Sequence, residues 1–80
     1  MSFFNTLSNA TKISVLQSSR DQLSTELTAI LLRNGIDPEA FDFTDEEALS
    51  NYVMLGDTVR VEQICTGLQI IATKLATLGA

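Results

Sequence analysis

Between Val61 and Leu78 the apolar residues Val61, Ile64, Leu68, Ile71, Leu75 and Leu78 are separated by 3, 4, 3, 4 and 3 positions. A half-buried strand alternates in steps of two, whereas steps of three and four keep side chains on one face of a helix. Placed on a heptad, these residues fill every a and d slot over nearly three repeats. A stripe of that kind has to be covered by another helix, of the same chain or of a second one. The helix that carries it is expected from residue 58 to residue 78, with Asp57 or Thr58 as N-cap. Gly67 falls inside it at a g slot. Glycine there costs about 1 kcal/mol against alanine, which points to a close helix approach.

A second long helix is expected from Thr11 to Asn34. On the same heptad, Ile13, Arg20 and Leu27 take a, while Leu16, Leu23 and Ile30 take d. Arg20 is the one polar residue on either seam. It either carries its charge out to acidic neighbours or sets register and chain number. Near the helix end Leu27, Ala29, Ile30, Leu31 and Leu32 are apolar nearly all round, which calls for cover on more than one side. Gly35 suits the left-handed residue of a Schellman cap, with Ile36 folding back on Leu31.

Between the long helices the signals are short. Asp37-Pro38 reads as a cap with proline in the first turn, giving a turn over residues 38–41. Thr44-Asp45-Glu46-Glu47 reads as a capping box opening a short helix over 45–54, with Leu49, Tyr52 and Val53 on one face. Residues 1–10 form a separate N-terminal segment. Phe3, Phe4 and Leu7 lie one turn apart but out of the seam register, so they either cover the end of the bundle or form a docking patch.

Composition narrows the function. The 80 residues make one domain, 45% apolar and 19% charged, with a net charge of −5. The five basic residues, Lys12, Arg20, Arg33, Arg60 and Lys74, are scattered, so no direct nucleic-acid contact is expected. An anionic membrane would repel the chain, and the uncharged stretch from Gln63 to Thr73 is too short to span one. Met1 to Thr6 lacks the basic and apolar regions of a signal peptide. The expected setting is cytoplasmic, the host cytoplasm if the chain is viral, where Cys65 stays a thiol.

Chemistry finds little to work with. There is no histidine and a single cysteine, so Cys65 has no imidazole to activate it and reads as a small packed side chain in an e slot. The acids Asp37, Glu39, Asp42, Asp45, Glu46 and Glu47 fail the spacing of a calcium loop, since Phe41 and Asp42 fall where an oxygen ligand and glycine are needed. No catalytic residue, cofactor or metal is expected.

The run Gly56-Asp57-Thr58-Val59-Arg60-Val61-Glu62-Gln63-Ile64 resembles the last-helix opening of the small tail-fibre assembly chaperones of T-even bacteriophages. The resemblance implies a non-catalytic phage protein that helps fibre chains fold and trimerise, with Val61 and Ile64 forming an interface. It covers about ten residues; between Gly35 and Leu49 the chain departs from that family's continuous helix.

The expected fold is therefore all-α: two long helices and one short one, with coiled-coil-like seams. The two seams join chains in a homo-oligomer, a dimer before any other, or meet within one chain with the short helix as a lid. The expected function is a protein-protein interaction module, an assembly chaperone or adaptor, acting through Val61, Ile64, Leu68, Ile71, Leu75 and Leu78 with Ile13, Leu16, Arg20, Leu23 and Leu27. The alternative is an acidic inhibitor that blocks a nucleic-acid-binding host protein by mimicking phosphate charge.

Overall fold

The computed structural model describes residues 2–42 and 56–80. The expected short helix over 45–54, its capping box and its role as a lid lie outside the described residues. Two long helices, α1 (Asn9–Arg33) and α2 (Thr58–Thr77), pack against each other, and every other regular element among the described residues is a single 3-10 turn, at Phe4–Thr6 and Pro38–Ala40. The helices run antiparallel. Glu26 of α1 meets Arg60 at the start of α2, and Leu16 packs with Ile71 and Leu75 further along. The molecule measures 41 × 23 × 17 Å.

Local chemistry sets where α1 begins and ends. Ser8 caps it, its hydroxyl oxygen accepting from the Thr11 amide at 3.2 Å, so the helix starts at Asn9, ahead of the expected Thr11. Gly35 takes φ +74°, its amide donates to the Leu32 carbonyl oxygen, and the Ile36 amide donates to that of Leu31. Those two bonds define the Schellman motif. Ile36 then packs on the core beside Leu31. The same device closes α2 one residue before the expected end: Gly79 is left-handed and the Ala80 amide reaches the Leu75 carbonyl oxygen.

The two seams meet inside one chain. Near the loop end, Leu27, Ile30, Leu31, Val61, Ile64, Cys65 and Leu68 form one buried cluster. Leu16, Ile71 and Leu75 form a second toward the open end, with Ile13, Leu23, Leu78 and Phe4 partly buried around it. Two expectations need correction. Leu31, in an e slot, is buried, whereas Ala29 and the 61%-exposed Leu32 face out; among the described residues the apolar end of α1 is covered on one broad side. Asp57 sits at the N-cap position of α2 but makes no capping bond. Its carboxylate accepts instead from Arg33 Nη2 at 2.5 Å and Nε at 3.2 Å, and from Asn34 Nδ2 at 2.8 Å. A two-pronged charge-assisted bond is stronger than a single cap to a backbone amide, so the tertiary partner wins.

The glycine at position 67 has the role its place in α2 suggests. A Cβ built there would lie 3.0 Å from Leu23 Cδ1. The missing side chain lets α1 sit close at the junction of the two clusters.

Candidate functional site

With the seams buried against each other, the surface left for recognition lies beside them. Along one side of the hairpin runs an open groove of about 320 Å³, floored by Leu27, Leu31, Leu68 and Leu75. Ser24, Thr28 and Ala72 are too small to fill it, Arg20 stands at its rim, and Pro38 and Phe41 wall the loop end. The Thr28 hydroxyl donates to the Ser24 carbonyl oxygen at 2.8 Å, which removes one polar group from the lining.

The loop-end wall follows from three local steps. The Gly35 cap reverses the chain at the end of α1. Asp37 accepts from the Glu39 amide at 3.0 Å, which with Pro38 sets the 3-10 turn Pro38–Ala40. That turn returns Phe41 to the cluster around Leu27 and Leu31. A mostly apolar concavity with few polar groups at its edge is the ordinary form of a site for an apolar ligand or side chain.

Compared with protein-family models, curated proteins and solved structures, the chain matches none.

The expected interface residues divide. Val61, Ile64, Leu16 and Ile71 belong to the hairpin core, Ile13, Leu23 and Leu78 pack around the open-end cluster, and Leu27, Leu68 and Leu75 also floor the groove. Arg20 is half exposed, its Nε 3.6 Å from the Asp21 carboxylate, so its seam slot is open to water. Pro38, Phe41 and Ala72 are groove residues that the heptad pattern could not mark, because none lies on a seam.

Electrostatics separate the two ends. At the loop end, Arg33 holds Asp57 and Arg60 bonds Glu26 through both of its forks. The hydrogen bonds from Arg33, then Asn34, hold the Asp57 carboxyl below its ordinary range, and the bond from Arg60 does the same for Glu26. At the open end, the ammonium groups of Lys12 and Lys74 lie 5.5 and 5.9 Å from the Phe4 ring centre, a cation–π distance. Phe3 meets Phe4 edge to face with ring centres 6.4 Å apart and stays 80% exposed. The chain has no acid at all in residues 1–20 and 63–80.

Among the described residues, Cys65 and the acids are the side chains on which chemistry would have to rest. Cys65 is buried, and burial pushes its thiol above the ordinary value of 9.0, away from the reactive thiolate. No group of three acidic or cysteine side chains converges there as a metal site requires, and no helix there is long and apolar enough to cross a membrane.

Proposed function

We propose that this chain is a non-enzymatic protein-protein interaction module, an assembly chaperone or adaptor, that holds an apolar segment of a polypeptide in the groove between α1 and α2. The observation that carries the reading is the groove itself: four leucines form its floor and, among the described residues, it stays open, although the seams beside it are closed. Open apolar concavities on small proteins are characteristic of recognition sites. An amphipathic helix is the natural guest, since it lays one apolar face into such a channel. The likeness of Gly56–Ile64 to phage tail-fibre assembly chaperones favours a role in helping other chains assemble. The lack of histidine and the buried, raised Cys65 thiol favour binding over chemistry.

Selection from a random peptide library tests this. Ala72 lines the groove and is exposed, so Ala72→Arg blocks the channel without touching the core. Selected peptides should show apolar residues at helical spacing and should bind Ala72→Arg at least about tenfold more weakly. Peptides that bind both proteins equally would place recognition elsewhere.

A further inference from the structure

The open end of the hairpin gathers unpaired positive charge on an aromatic floor. The Lys12 and Lys74 ammonium groups come from different helices, yet both rest over the Phe4 ring, and neither forms an ion pair among the described residues. The nearest acids along their own helices are Asp21 and Glu62, nine and twelve positions away, or about 13 and 18 Å of helix rise. Charges are screened over about 8 Å at physiological salt, so an anion arriving here meets the two lysines and not the net charge of −5. With Phe4, Asn5, Thr77 and Leu78 the lysines line a shallow concavity of about 260 Å³. The Thr73 and Thr77 hydroxyls donate to the carbonyl oxygens of Gln69 and Thr73, at 3.0 Å each. The donors left for a guest are the two ammonium groups and the Asn5 side-chain amide, which makes no hydrogen bond among the described residues. Phe3, packed edge to face on Phe4, leaves a bare ring beside them.

We propose that this end docks an acidic segment of a second polypeptide, a carboxylate side chain taking the concavity at Lys12 and Lys74 while a neighbouring apolar residue covers Phe3. Charge-assisted bonds from two cations match one or two carboxylates. Recognition of an anionic membrane takes a cluster of about 4–8 basic residues, and nucleic acid takes a basic stripe; this end supplies neither. The bare ring beside the charges adds apolar area that an inorganic anion would leave uncovered and a peptide side chain would bury. On α2 the groove uses Leu68, Ala72 and Leu75, whereas the concavity uses Thr73, Lys74 and Thr77, so the two sites lie on different faces of that helix. One chain can then hold two polypeptides at once, one by desolvation in the groove and one by charge at the open end. The open-end site goes beyond the groove reading and does not depend on it.

Selection of a random peptide library at low salt on Ala72→Glu, which closes the groove without adding a cation, provides the test. Selected peptides should carry two or more aspartates or glutamates beside an apolar residue. Their affinity for the wild-type chain, measured by isothermal titration calorimetry, should weaken steeply with added salt. It should fall at least about tenfold for Lys12→Glu/Lys74→Glu and stay within about twofold for Lys12→Arg/Lys74→Arg, which keeps both charges. Phe3→Ala should weaken binding about fivefold and leave the salt dependence unchanged. Unchanged far-UV circular dichroism qualifies each variant, and Lys12→Gln/Lys74→Gln replaces the reversed pair if that pair unfolds. The proposal is overturned if no peptide is selected, if the selected peptides lack acidic residues, or if they bind the charge-reversed chain as well as wild type. Co-sedimentation with phosphatidylserine vesicles that is lost in Lys12→Glu/Lys74→Glu, with no acidic peptide selected, would assign the site to anionic lipid and overturn it too. The groove reading is judged on peptides that lose affinity for Ala72→Arg, so either site can fail while the other stands.

Discussion

The loop half and the open half of this hairpin are built from the same two helices but are held differently. In the loop half Val61 and Ile64 are completely buried, Ile30, Leu31 and Cys65 nearly so, and Arg33–Asp57 and Arg60–Glu26 tie α1 to α2 across the cluster. In the open half Leu16, Ile71 and Leu75 are ringed by side chains that remain partly wet, and Lys12 and Lys74 rest on the Phe4 ring and form no ion pair among the described residues. The lesson is a division of labour. Near the chain reversal burial is deep; toward the open end it is shallow. Segments with shallow burial open at lower free energy than deeply buried ones.

The strongest way to break that contrast is to cut cavities in both halves. Ile64→Ala should cost about 4 kcal/mol, because a fully enclosed side chain leaves a hole its neighbours cannot fill. Leu75→Ala should cost about 2 kcal/mol, since the partly exposed side chains around it can relax inward. Urea unfolding reads both values, and equal losses would erase the difference between the halves.

The junction between the halves gives a smaller effect. Gly67→Leu forces a side chain into the space where even a Cβ would lie 3.0 Å from Leu23 Cδ1, and overpacking of this kind costs about 1–3 kcal/mol. Adding Leu23→Ala should return part of that loss, because the obstructing atom is gone. A double-mutant cycle by thermal unfolding measures the coupling, and strict additivity of the two changes would mean that Leu23 does not set the approach of α1.

The smallest effect belongs to the ion pairs. Asp57 and Glu26 are both held below their ordinary values of 3.8 and 4.5 by hydrogen bonds from Arg33 and Arg60. The folded chain therefore binds fewer protons than the unfolded one. The stability these pairs contribute is complete above those ordinary values and is lost as pH falls from about 4.5 through the lowered folded values. Because the pairs are exposed and screened, the loss should be modest and should shrink in high salt. In acid titrations followed by circular dichroism, Asp57→Asn should show a shallower decline than wild type; an identical decline would remove the loop-end tie from the account.

The residues α1 and α2 occupy, the Gly35 stop and the apolar stripe from Val61 to Leu78 are legible in the chain itself, as is the use of Gly67. All of these depend on neighbours a few positions away: helical period, capping bonds and the φ a glycine permits act over one or two turns. Only the tertiary structure decided that the two stripes meet within one molecule, that Leu31 goes in while Leu32 stays out, and that Asp57 leaves its cap for Arg33 and Asn34. It alone brings Pro38, Phe41 and Ala72 to one groove. Those outcomes are contests between groups distant in sequence, won by charge-assisted geometry and by which side of a helix its partner happens to cover, and no periodicity along the chain records the winner.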